Sequence, residues 1–310
     1  ILKTILLQQK LLILLRYWET KMNFDKNILS FLERSTKALE TLSKSKSKEN
    51  ILITKADGYL WNADELQLIP VDNINAINLK LLKGIDHTKE ILLENTIQFA
   101  KGFSANNVLL WGARGMGKSS LIKAVHKEVS KTKNFNRLIL IEIFRDDINK
   151  LQKLISELHK EKHQFIIFCD DLSFDNNETN YKSLKTVLDG GIMKKSDNIL
   201  FYATSNRRHL MPRSMIENES STSISPSESA EEKISLSDRF GLWLGFYQCS
   251  QEDYLYIVKS YAKEYKFKID NNDLEKLAIE WSVTRGSRSG RVAWQFIQDL
   301  AGKLKIKINY

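Results

Sequence analysis

The residues that could do chemistry are concentrated in residues 107–125, "NVLLWGARGMGKSSLIKAV". Gly112, Gly117, Lys118 and Ser119 fit the spacing GxxxxGK[ST] without a gap, after an apolar run that reads as a strand and before one that reads as a helix. Glycines let the backbone turn so that successive N–H groups face a phosphate, and the helix N-terminus adds positive potential. On this reading Gly112, Ala113, Arg114, Gly115, Met116 and Gly117 form the cradle, with Ser120 beside it. Lys118 reaches the β/γ oxygens of ATP, and the Ser119 hydroxyl ligates Mg²⁺.

A cradle alone hydrolyses nothing, so a metal and a water must also be handled. The run "FIIFCDD" (165–171) ends a buried strand in two carboxylates, at the carboxyl edge of a sheet. Asp170 there would hold Mg²⁺ through water, and Asp171 would polarise the attacking water. Apolar runs ending in acids are common; the place of this one, one helix and one strand after the cradle, is what singles it out. The next apolar run, "NILFYATSN" (198–206), ends in Asn206, either an ordinary strand-ending residue or one placed to hydrogen-bond the γ-phosphate or the lytic water. Cys169 reads as a small buried strand residue.

The elements that must position these residues follow from periodicity. The runs 107–111, 138–143, 165–169 and 198–203 are short and nearly continuously apolar, as in parallel strands buried on both faces, and helical patterns lie between them. This predicts a doubly wound parallel α/β sheet. Upstream, Phe24, Ile28, Leu32, Leu39 and Leu42 predict an amphipathic helix ending in a charged linker at 43–50, and "ILITKADGYLW" suggests a hairpin about Asp57-Gly58. Residues 214–235 are Ser/Glu-rich and predict a mobile surface loop. Beyond them the chain reads as helical to its end, with "SQED" (250–253) as a capping box and helical patterns at 272–282 and 288–304. The expected domains are an N-terminal extension over 1–74, helical with a possible hairpin, a nucleotide-binding α/β domain over 75–246, and an α-helical lid over 247–310.

Composition sets the outer limits. With 310 residues, 42% of them hydrophobic, the chain can bury a sizeable core. Two cysteines are too few for a disulfide framework and point to a reducing, cytoplasmic setting, and the five histidines have no zinc-binding spacing. The net charge of +9 is concentrated in residues 1–50, which hold 10 Lys/Arg against 5 Asp/Glu. That could attract nucleic acid or acidic lipid, but "SKSKSK" (43–48) reads more simply as a solvated linker, since no aromatic residues interleave with the basic ones. The first eighteen residues are interrupted by Lys3, Gln8, Gln9 and Lys10, which argues against a membrane span and leaves a membrane-surface helix as the alternative. The chain begins with Ile, and Met22 is a plausible start.

In order along the chain, "GARGMGKSS", "FCDD", "ATSNRR", "LSDRFG" and "RGSRSGRVA" resemble the AAA+ ATPases. The set is similar to an uncharacterised bacterial AAA+ family known only as a domain of unknown function, over about residues 75–302. The resemblance implies that Arg239 is an arginine finger serving a neighbouring subunit, and hence a homo-oligomeric ring or filament. It implies that Arg291 is the sensor-2 arginine of the lid, with Arg288 as the alternative, and that Ile85 of "KGIDH" contacts the adenine. Two departures stand out. The second acid is Asp171 where the family pattern has Glu, and no glycine lies between Gly117 and Gly190, so the aromatic-apolar-Gly pore loop of threading members is missing. The expected function is an ATPase that remodels or loads an unidentified protein client or nucleic acid. The alternatives are a nucleotide-regulated interaction module with little hydrolysis, or a P-loop small-molecule kinase using Arg207, Arg208 and Arg213.

Overall fold

The computed structural model describes residues 53–132, 135–174, 180–189, 197–210 and 236–308, together with Lys10, Ile13 and 30–37. The chain divides into two compact units, Ile1–Asn50 and Ile51–Tyr310. In the first, residues 30–37 are helical, inside the stretch expected to be helical; the rest of that stretch, the 43–50 linker and the 214–235 loop lie outside the described residues.

In the second unit the four expected strands form where the apolar runs lie. With the hairpin β1 (Gly58–Asn62) and β2 (Gln67–Val71) numbered first, they are β3 (Val108–Gly112), β4 (Leu138–Ile143), β5 (Gln164–Cys169) and β6 (Ile199–Ser205), followed by β7 (Leu242–Phe246). The seven-stranded sheet has the order β2-β1-β4-β5-β6-β3-β7, and every pairing except β1 with β2 is parallel. Side chains alternate between two cores, as the period of a strand requires. On β5, Ile166 and Phe168 enter one core while Phe165, Ile167 and Cys169 enter the other. Both faces are covered, which is why these runs are apolar throughout.

Two elements differ from expectation. The hairpin does not turn at Asp57-Gly58: Gly58 begins β1, and the turn follows Asn62, whose Oδ1 accepts the N–H groups of Asp64 (3.1 Å) and Glu65 (3.2 Å). Asp57 instead accepts the Leu140 N–H on its carbonyl at 2.9 Å, at the entry to the β1–β4 pairing. Because β1 pairs with β4, the hairpin extends the main sheet, and the boundary expected at residue 74 falls inside the second compact unit. The second difference is β7, where the chain was expected to turn helical; it pairs along the full length of β3.

Helices α1 (Asp86–Ala100), α2 (Lys118–Ser130), α3 (Leu151–Leu158) and α4 (Asn180–Asp189) accompany the sheet, and α5 (Gln251–Glu264), α6 (Asn271–Thr284) and α7 (Gly290–Lys303) follow it. The capping box before α5 is complete: Ser250 Oγ accepts the Asp253 N–H at 3.0 Å, and Asp253 Oδ2 accepts the Ser250 N–H at 3.3 Å. Asp270 and Ser289 cap α6 and α7 by accepting from Asn272 and Val292. The Tyr254 hydroxyl donates to the Ala278 carbonyl at 3.1 Å, tying α5 to α6, while Tyr261 and Trp294 join α5 to α7 with ring centroids 5.3 Å apart. No helix of the described residues is long and apolar enough to cross a membrane.

Candidate functional site

The glycine turn joins β3 to α2. Gly112 has φ 123°, and a Cβ there would lie 2.0 Å from the Phe246 carbonyl oxygen, which accepts the Ala113 N–H at 2.8 Å. The close approach of β7 therefore dictates the first glycine of the motif. Gly115 meets the lid in the same way: a Cβ would lie 2.9 Å from Ser289 Oγ, and the Gly115 carbonyl accepts the Arg291 N–H at 3.0 Å. Lys118 and Ser119 open α2, where N–H groups have no intrahelical acceptor, and no described group accepts from them.

Lys118 is only 7% exposed. Its ammonium donates to the carbonyls of Gly112 and Ala113, both at 2.8 Å, and to Asn206 Oδ1 at 3.2 Å. Burial weakens its hold on the proton, the nearby carboxylates of Asp171 and Asp170 strengthen it, and the charges of Arg114 and Arg291 weaken it further. A desolvated cation held by neutral oxygens is suited to receive an anion.

The acids lie beside it, as the run 165–171 predicts. Ser119 Oγ and Thr204 Oγ1 each donate to Asp170 Oδ1 at 2.5 Å. The Asp171 N–H donates to Thr204 Oγ1 at 2.9 Å, and Asn206 Nδ2 donates to Asp171 Oδ1 at 2.5 Å. Asp171 itself sits at φ 50°, a strained backbone for a non-glycine residue. Thr204 thus fixes both acids, and sequence reasoning missed it. The signal was there: it stands two residues before Asn206, hence on the same strand face, just after the apolar part of the strand.

These groups form the polar end of a cleft of about 600 Å³, with Arg114, Gly115, Met116, Gly117 and Ser120 also in its wall. The rest of its wall is mostly apolar, with Lys83 as the exception. Ile77, Leu81, Leu82 and the expected Ile85 come from the segment before α1; Ile257 and Tyr261 come from α5, and Trp294 comes from α7. Of these only Ile85 was anticipated. Arg291 lines the cleft, whereas Arg288 donates to Gln251 Oε1 at 3.1 Å and lines a separate cleft, so the two alternatives occupy different places. Gly112 and Ala113 do not line the first cleft; their carbonyls hold Lys118. Arg239 is also outside it, paired through Nε with Asp189 Oδ1 at 2.6 Å at the end of α4.

The donor set fits a phosphate-bound divalent cation better than a metal held by protein alone. Among the described residues no group of three or more His, Cys, Asp or Glu could hold a metal. Ser119 and Asp170 would instead supply the protein ligands or their water contacts and phosphate oxygens the rest, as Mg²⁺ prefers.

Residues 54–304 match the family model described as "Protein of unknown function (DUF815)". The vacuolar protein sorting-associated protein 4 of Dictyostelium discoideum is 26% identical over 219 residues, covering 57% of this chain and 49% of that protein. The chain therefore spans about half the length of this curated relative. Among solved structures, a RuvB mutant of Thermotoga maritima superposes with a TM-score of 0.50 at 18% identity, covering 74% of this chain and 66% of that one. The Aeropyrum pernix ORC1 protein in complex with DNA gives 0.51 at 13% identity, with 74% and 66% covered. At these identities the likeness is one of fold.

Proposed function

The chain belongs to the DUF815 family and has the P-loop fold of AAA+ ATPases, and from that premise we propose that it binds Mg-ATP in this cleft, hydrolyses it, and uses the cycle to remodel or load a partner. The observation that carries the reading is the single hydrogen-bonded chain that joins Lys118, Asn206, Asp171, Thr204, Asp170 and Ser119. Bound Mg-ATP would supply a phosphoanhydride bond whose cleavage is downhill and a metal that neutralises the phosphates.

The chain's own residues supply the rest. Lys118 and the first N–H groups of α2 bind the phosphates, and Arg114 and Arg291 add positive charge. Asp170 and Ser119 hold the metal. Asp171, with one oxygen fixed by Asn206 Nδ2, polarises water with the other. The apolar end accepts the base without directional bonds. Arg239 acts on the site of a neighbouring copy, which makes the working form a homo-oligomer, and its pair with Asp189 must open for it to do so. The client is a protein or a nucleic acid, and the setting is the cytoplasm. The lid that brings Arg291 to the cleft argues against a small-molecule kinase.

One observation favours a second reading, a nucleotide-regulated interaction module with little hydrolysis. Asp171 is one methylene shorter than Glu, and Asn206 already occupies one of its oxygens. Calorimetric titration with Mg-ATP, together with phosphate release, separates these readings. We expect Lys118→Ala to lose binding by about 100-fold or more, because a buried charge is removed from its site. Asp171→Asn should keep binding and lose turnover. Near-native affinity in Lys118→Ala would refute the cradle, and equal turnover in wild type and Asp171→Asn would refute the role of Asp171.

A further inference from the structure

The phosphate loop has a second side. Ala113, Arg114 and Met116 also wall a separate cleft of about 530 Å³, closed by the β7–α5 connection at Gln248 and Cys249 and by the last turn of α6 and the α6–α7 connection, Ser282 to Ser289. Its charge is one-sided. Arg114 and Arg288 line it, and none of the described residues that line it is acidic. Burial pushes the Cys249 thiol up to about 11, so it adds no negative charge at neutral pH. The remaining wall presents hydroxyls and an amide from Ser287, Ser289 and Gln248, and apolar surface from Met116 and Val283. Arg288 is oriented by its bond to Gln251 Oε1.

We propose that this second cleft is a binding site for a carboxylate-bearing ligand, held by the guanidinium groups of Arg114 and Arg288. An arginine presents paired N–H donors that match the two oxygens of a carboxylate, and two arginines without an acid between them leave that capacity unspent within the cleft. The volume suits anything from a small polycarboxylate to the side chains of an acidic peptide. Arg114 and Met116 line both clefts, and Ser289 packs against Gly115. A ligand that draws Arg114 into the second cleft takes positive charge from the first, so it opposes ATP, and ATP opposes it by the same factor. Only this coupling rests on the nucleotide reading; binding to the second cleft stands without it.

The probes are citrate and a hexaglutamate peptide, titrated calorimetrically into the full chain without nucleotide. The proposal expects at least one of them to bind, unchanged in Lys118→Ala and weakened by about tenfold or more in both Arg288→Gln and Ser287→Glu. Thermal melts check that the variants fold. Citrate alone binding identifies a small-molecule ligand, and the peptide alone identifies an acidic segment of a partner. No binding of either probe at 10-fold excess over about millimolar concentration, binding that disappears in Lys118→Ala, or binding indifferent to Arg288→Gln would each overturn the proposal. If a probe binds as expected but does not shift Mg-ATP affinity, the second cleft stands and the coupling falls.

Discussion

The two ends of the first cleft are built by opposite means. At the polar end, short directional bonds connect a lysine, two acids, an asparagine and two hydroxyls, all from the carboxyl edges of the neighbouring strands β3, β6 and β5 or the start of α2. At the other end, mostly apolar side chains from the segment before α1, from α5 and from α7 meet around the space they enclose. The first kind of surface depends on geometry and fails when one member is removed. The second depends on buried area, so its losses are graded and each residue contributes a share of about 1–3 kcal/mol.

The largest effect should come from a residue in neither end. Arg239→Ala is expected to lower turnover by about 10³-fold or more while leaving Mg-ATP affinity intact, because a catalytic arginine matters only where charge develops. Mixing Arg239→Ala chains with Lys118→Ala chains should partly restore phosphate release, since some interfaces would join an intact cradle to an intact arginine. No recovery in mixed assemblies, verified by native mass spectrometry, would confine Arg239 to its own chain. It would then leave the Asp189 ion pair as its role.

Asp170→Ala comes next. Two hydroxyls point at its carboxylate, so its removal should eliminate the Mg²⁺-dependent part of ATP binding, about 10-fold to 100-fold, without changing affinity measured in EDTA. Equal losses with and without Mg²⁺ would mean that Asp170 only braces Thr204 and Ser119. At the apolar end, Leu82→Ala should weaken ATP by only about 3-fold to 10-fold and leave kcat unchanged, as expected of area removed from binding alone. A loss as large as that in Lys118→Ala would break the contrast between the two ends.

The smallest effect on the cleft is expected of His126, which lies on the helix that carries Lys118 but faces the core. Its Nε2 lies 3.1 Å from the Leu138 carbonyl, and burial pulls the imidazole down to about 4 from its ordinary 6.5. The unfolded chain therefore takes up a proton at a pH where the native one does not. The stability linked to this group is present above about 6.5 and is lost as pH falls towards about 4, by on the order of 3 kcal/mol. Urea titrations at pH 7 and pH 4.5 should show that loss, and His126→Leu should reduce it; an undiminished pH dependence in a folded His126→Leu would assign the effect elsewhere.

How legible the site was follows from how each part is encoded. The cradle, the acids and Asn206 stand at fixed offsets within runs whose apolar character marks them as buried parallel strands, so their place at one sheet edge can be read locally. Thr204 was readable by strand period but was hidden by its neighbours. The apolar end was not readable, apart from Ile85: Leu82, Tyr261 and Trp294 are ordinary core-type residues, separated along the chain and distinguished only by the space they border.

The sequence by itself determined the four strands β3 to β6, the capping box of α5, and most of the chemistry of the polar end, because each depends on residues close together in the chain. Only the tertiary structure decided the rest. Run β7 is five residues that follow Gly241 and include Gly245, and it is a strand because β3 offers it an edge; that same contact, through the Phe246 carbonyl, requires Gly112. The hairpin joins the sheet because β4 has a free edge for β1, and Arg291 rather than Arg288 reaches the cleft because its backbone N–H docks on Gly115. Each of these depends on a partner distant in the chain, and such partners are fixed by long-range packing that no local pattern of residue types encodes.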